Sequence, residues 1–194
     1  MAGQSTVIDI RGGAFFLPTA SIGLRVFLGV IAVLFSILVV AYSERMSLGD
    51  WRSLTDPWLL WPNSFMLILS SIAMQSACIG ARKGQVDRVK TGLTAGGVFA
   101  FAFLIGQLLV WRDLVGSGYF AASNPANAFF YLLTAIHGLH LMGGLVAWGR
   151  TSAKLWRGDD SEVAKLRLSV ELCAVYWHFL LLVWLIFFAL LLIT

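Results

Sequence analysis

The side chains most able to do chemistry are three histidines, and each lies in an apolar stretch long enough to cross a bilayer. His137 and His140 fall in AFFYLLTAIHGLHLMGGLVAW, and His178 falls in VELCAVYWHFLLLVWLIFFALLL. An ionisable group at membrane depth is costly to hold, and as a rule it faces protein rather than lipid. His137 and His140 are three apart, which places them on one helix face. A helix entering near Asn127 carries His140 about 20 Å in, leaving about 10–13 Å to the far edge. A helix returning from Val170 carries His178 about 12 Å in from that same edge. On neighbouring antiparallel helices these two rings share a depth. Two readings follow. One is a single haem held by His140 and His178. The other is a set of interior histidines bonded to each other, to Ser or Thr, or to a neighbouring subunit. The bulk of Tyr176, Trp177, Phe179 and Trp184 around His178 favours tight packing over a flat cofactor slot.

The elements that must position these rings are membrane helices. The chain has 194 residues, 59% hydrophobic and 12% charged, with mean hydropathy +0.83. Soluble domains carry about 25% charged residues. The apolar runs are continuous, unlike the alternating strands of a barrel. The fold expected is therefore all-α, a single bundle over 1–194 with five transmembrane helices. The spans fall at about 21–42, 59–81, 91–111, 127–149 and 170–193. Asn124-Pro125 punctuates the start of span four, and Gly158-Asp159-Asp160 breaks the chain before span five. Residues 1–20 lack the basic start and apolar core of a signal peptide, so the first span reads as retained.

Charge sets the orientation. The N-terminal tail and the 82–90 and 150–169 loops carry ten Lys and Arg, against Arg45, Arg52 and Arg112 on the other side. The positive-inside rule places the N-terminus, with residues 1–20, in the cytoplasm and the C-terminus outside. The net charge of +4 resides in these loops and gives no reason to expect nucleic acid. Trp51, Trp58, Trp61, Trp111 and Trp148 lie near span ends, as aromatic belts do. Gly92, Gly96 and Gly97 on span three, and Gly138, Gly143 and Gly144 on span four, allow close helix approach, internal or to another subunit.

Several functions are disfavoured. Cys78 and Cys173 stand singly in apolar runs and read as small buried hydrophobes, with no paired-cysteine metal site. Of the ten acidic residues only Glu171 falls within a span, at its edge, which is thin support for a proton or ion transporter. Transporter-like broken helices are also lacking. Three histidines are too few for a haem–copper centre with a second haem. The residues describe a supporting subunit, with no catalytic, metal or cofactor site of its own.

Two segments carry a family resemblance. Phe129-Phe130-Tyr131-Leu132-Leu133-Thr134-Ala135-Ile136-His137-Gly138-Leu139-His140 resembles the F-Y-x-x-T-G-x-H-G-x-H span of the short bacterial subunit III of haem–copper oxidases. Glu171 through Phe179, then Val183-Trp184-Leu185, is similar to its last span, E-x-x-x-x-Y-W-H-F-V-D-x-V-W-L. Asn63-Ser64 with Ser70-Ser71, and Gln107, are weaker echoes of earlier spans. The likeness covers about 21–190.

The resemblance implies a non-redox accessory subunit of a cytochrome c oxidase in the bacterial plasma membrane. Such a subunit packs against subunit I, with subunit II in the same complex, and holds phospholipid. Haem and copper reside in the partner subunits. The complex oxidises cytochrome c, reduces oxygen to water and translocates protons, so any enzymatic activity belongs to the whole. Related subunits accompany quinol oxidases and nitric oxide reductases. By the same resemblance His137, His140, Glu171, Trp177 and His178 are structural, lipid-contact or subunit-contact positions.

The chain departs from the family at three places. Leu181 replaces an aspartate, Ile31 replaces a first-span glutamate, and Val110-Trp111 stands where glutamate-tyrosine follows the third-span glutamine. Loss of these carboxylates points to a mainly structural role. Leu181→Asp is accordingly expected to leave proton uptake by an assembled oxidase unchanged. A large gain, measured with a pH-indicator dye during turnover, would count against that role.

Overall fold

A computed structural model describes residues 19–49, 51, 58–157 and 163–193. The expectations for the N-terminal tail with Arg11, for Arg52, and for the Gly158-Asp159-Asp160 break lie outside the described residues. Five helices follow in order: α1 Thr19–Met46, α2 Leu60–Arg82, α3 Val86–Gly116, α4 Pro125–Arg157 and α5 Val163–Ile193. All five are long and apolar enough to span a membrane. No strand occurs among the described residues. The expected spans all exist, and α3, α4 and α5 run past the apolar windows by a turn or more.

Local chemistry sets the boundaries. Gly84, at φ 68°, ends α2; Gln85 N–H donates back to Gly80 O at 2.9 Å, and α3 starts at once. That left-handed glycine closure caps orphan carbonyls at a helix end. Gly118, at φ 85°, closes α3 in the same way, with Tyr119 N–H on Leu114 O at 2.9 Å. Pro125 opens α4, where its missing N–H costs nothing. Asn124 Oδ1 accepts Ala126 N–H at 3.3 Å, as a capping residue does.

Four helices close a ring: α2 packs on α3, α3 on α4, α4 on α5, and α5 back on α2. The α2–α3 pair is the most extensive. Gly92 lies directly against the α2 backbone at Ala73 and Ala77, and Gly96 lies against Met74. The small residues of span three thus serve an internal contact. On α4 only Gly144 is crowded, by Tyr176, while Gly143 has open space beside it. α1 stays outside the ring on α4 and α5, and buries only Ile31, Phe35 and Tyr42.

A Cβ at Gly92 would stand 2.7 Å from Ala77 N and 2.8 Å from Ala73 O, both backbone atoms that cannot swing aside. Gly92→Leu should therefore part α2 from α3 and cost about 1–3 kcal/mol. Gly29→Leu on α1, with nothing within 4 Å, should cost little. Thermal unfolding midpoints in detergent, followed by tryptophan fluorescence, compare the two. Equal midpoints would refute the close approach.

Candidate functional site

The interior of the ring is a polar seam. α2 presents Asn63, Ser64, Ser70 and Ser71 inward, all buried. Ser70 Oγ donates to Gly96 O at 2.6 Å and accepts Trp177 Nε1–H at 2.8 Å. Ser64 Oγ donates to Leu60 O at 2.7 Å and accepts Trp184 Nε1–H at 2.9 Å. Two hydroxyls on α2 thus hold two indoles on α5. Asn63 Nδ2–H donates to Gln107 Oε1 at 3.1 Å and ties α2 to α3. Trp111 Nε1–H donates to Thr134 Oγ1 at 3.0 Å, and Trp148 Nε1–H to Leu93 O at 2.8 Å; both tie α3 to α4. Trp111 and Trp148, expected at the membrane interface from their position near span ends, therefore also bridge helices. Trp58 and Trp61 are exposed.

The histidines separate. His137 is fully buried in an aromatic cluster, 5.9 Å from the Phe103 centroid and 5.2 Å from that of Trp184. Neither ring nitrogen has a hydrogen-bond partner among the described residues. His140 turns towards α1, with its ring 5.3 Å from Phe35 and its Nδ1–H on Ile136 O at 2.8 Å. The bond joining α4 to α5 at this level runs from Tyr176 Oη–H to the backbone oxygen of His140, at 2.8 Å. His178 is exposed, with Nδ1–H on Ala174 O at 2.5 Å, in grooves shared with α2. The structure thus places His140 towards α1 and His178 towards α2. It does not bring them together as a haem would require. Residues three apart on a helix differ in direction by about 60°. That offset is enough to send His137 inward and His140 sideways.

Glu171 sits at one end of α5 and accepts from Arg82 Nε at 3.0 Å and from Arg167 Nε at 3.2 Å. It links α2 to α5 where charge can reach water. Ile31 and Val110, where the resemblance implies carboxylates, are buried, and Leu181 lines the α2–α5 groove. Among the described residues no group of three or more His, Cys, Asp or Glu is placed to hold a metal. Cys173 Sγ and Thr151 Oγ1 are 3.6 Å apart across α4 and α5. Sequence reasoning did not anticipate the serine–indole pairs as pairs. The signal was the position of Ser64 and Ser70 among apolar residues, which called for partners.

The seam and the orphaned ring should respond oppositely to substitution. Ser70→Ala strands the Trp177 indole and should cost about 1–3 kcal/mol. His137→Leu replaces an unpaired polar ring with an apolar group and should be neutral or stabilising. Unfolding midpoints in detergent check both. A loss at His137→Leu equal to that of Ser70→Ala would mean that the imidazole is hydrogen-bonded.

The profile of the family described as cytochrome c oxidase subunit III matches residues 54–193. A probable cytochrome c oxidase subunit 3 of Mycobacterium bovis is 29% identical over 128 residues, 66% of this chain and 62% of that protein. The match thus spans less than two thirds of that relative's length. Cytochrome c oxidase subunit 3 of Thermostichus vulcanus is 28% identical over 176 residues, 88% of this chain and 85% of that protein. Cytochrome bo(3) ubiquinol oxidase subunit 3 of Buchnera aphidicola is 25% identical over 126 residues, 64% of this chain and 60% of that protein. With five membrane-length helices and a profile match over most of its residues, the chain belongs to the cytochrome c oxidase subunit III family.

Proposed function

We propose that this chain is the non-redox accessory subunit III of a respiratory haem–copper oxidase in a bacterial plasma membrane. It packs against catalytic subunit I, in a complex that also contains subunit II. Haem and copper belong to those partners. The complex oxidises cytochrome c, reduces oxygen to water and translocates protons. The N-terminus is cytoplasmic. One observation carries the reading: the polar side chains of the interior join helix to helix through Ser64, Ser70, Asn63, Gln107 and Thr134. Such a bundle is built to present a fixed outer surface.

Bound phospholipid is part of the proposal. A groove of about 420 Å³ runs between α1, α4 and α5, with Gly143, Gly144 and Ala147 along it. Arg150 and Lys154 stand at one end. Small residues leave room for an acyl chain, and the cations suit an anionic headgroup at the interface. His137, His140, Glu171, Trp177 and His178 act here as structural and contact residues, not catalytic ones. A second reading, the same subunit in a quinol oxidase, is favoured by the match to the Buchnera aphidicola protein.

The test is purification of a tagged chain in mild detergent, with an absorption spectrum, oxygen-consumption assays and lipid extraction. The expected eluate contains haem, consumes oxygen with reduced cytochrome c and carries phospholipid. Activity with quinol alone would select the second reading. Haem absorbance that stays with the isolated chain would overturn both and restore the membrane-cytochrome reading.

A further inference from the structure

α1 and α2 both pack against α5 but make no contact with each other among the described residues. Between them one flank of α5 is left uncovered, at Val175 and His178. A groove of about 410 Å³ at this place is lined by Arg25 of α1, Gln75 and Arg82 of α2, and Val175 and His178 of α5. A second groove continues along α2 past Gln75 and Ser71, again beside His178.

This flank is polar at a depth where lipid offers nothing polar. His178 lies seven residues beyond Glu171, about 10 Å at 1.5 Å per residue, and so inside the apolar stretch of α5 and not at its charged edge. A carbonyl can only accept, so the bond to Ala174 O fixes the proton on Nδ1. Nε2 of the neutral ring is then an acceptor, on a residue that is exposed. Gln75 is exposed beside it, and no hydrogen bond joins its amide to another described residue. Ser71 Oγ, buried at the edge of the same groove, also lacks a hydrogen-bond partner among the described residues. The other outward faces differ. α3 shows Val98, Phe101, Ile105 and Leu108, and α4 shows Leu139, Met142 and Val146, all apolar. Those faces suit acyl chains. An acyl chain cannot satisfy an imidazole acceptor or an amide, and unsatisfied polar groups in hydrocarbon cost free energy.

We propose that the gap between α1 and α2, floored by α5 at His178, is the docking surface for a transmembrane helix of the catalytic subunit. That helix presents a hydrogen-bond donor to His178 Nε2 and a polar group to Gln75. The proposal rests on the accessory-subunit reading and names the face that reading leaves open.

The test uses the assembled complex in native membranes. A photo-crosslinking residue is placed at Ile72 or Val175 on this flank, and at Met142 on the apolar face of α4. Adducts are identified by mass spectrometry. Ile72 and Val175 are expected to capture the haem-bearing subunit, and Met142 to capture lipid. His178→Leu should raise dissociation of the complex in detergent roughly three- to twentyfold, the range for hydrogen bonds between membrane helices. His178→Gln, which keeps an acceptor, should restore most of the wild-type value. If the complex purifies intact but Ile72 and Val175 capture only lipid or a second copy of this chain, the docking surface is wrong and the subunit reading stands. The same holds if only Met142 captures the catalytic subunit. If the wild-type chain brings no haem protein through purification, the subunit reading falls and the docking surface falls with it.

Discussion

Two indole N–H groups on α5 need acceptors inside an apolar bundle, and two serine hydroxyls on α2 supply them. Trp177 meets Ser70 and Trp184 meets Ser64, each about 2.8–2.9 Å away. In hydrocarbon there is little hydrophobic force between helices, so shape and polar pairing must choose which surfaces meet. These pairs do both. They fix the rotation of α5 about its axis and its height against α2. Once α5 is set, Tyr176 is placed to reach the backbone of His140 and Glu171 to reach Arg82. The close fit of α2 on α3 at Gly92 and Gly96 carries that register to the rest of the ring.

The same logic explains why α1 is set apart. Its serines do not reach the ring: Ser36 and Ser43 bond their own helix at Ala32 and Val39. Its attachment is apolar and aromatic, through Phe35 on Phe187 and on His140, and Tyr42 on Phe129. A helix that touches only α4 and α5 leaves flanks uncovered on either side. Grooves lie on both sides of α1. One has cations at its end and small residues along its wall. The other has Arg25, Arg82 and Glu171 towards one end, and an imidazole and an amide further in. The two chemistries suit two kinds of neighbour, lipid and protein.

Much of this was legible in the sequence, and the limits have physical causes. Apolar runs about 20 residues long fix the existence of each span, because the bilayer sets a minimum length. The Asn124-Pro125 start follows from backbone chemistry alone, whereas the left-handed closures at Gly84 and Gly118 were not anticipated. Depth along each helix axis can be read from residue counts and the bilayer thickness. Direction around the axis cannot. Spacing of three residues allows neighbouring positions on one face, yet His137 ends in the aromatic core and His140 against Phe35. Which helices adjoin is a tertiary fact that periodicity does not hold. The short echoes at Asn63-Ser64, Ser70-Ser71 and Gln107 looked weak as isolated letters. In space most of them are each other's partners or partners of the tryptophans.

Charge in this chain is sorted by depth, and that sorting bears on its departures from the family. The carboxylate of Glu171 stands where two guanidinium groups and the bilayer edge can both reach it. Ile31 and Val110 have no such support, enclosed as they are in the hydrophobic core, while Leu181 lines a groove that Arg88 and His178 also line. A carboxylate there would need a cation or would have to stay protonated. Hydroxyls, indoles and one amide pair fill the middle of the bundle instead. The Ser64 and Ser70 hydroxyls take up the two indole N–H groups, the amides share one bond, and none of these groups carries a charge to neutralise. The interior is thereby suited to holding one fixed shape, with the Glu171 carboxylate kept near its charged end.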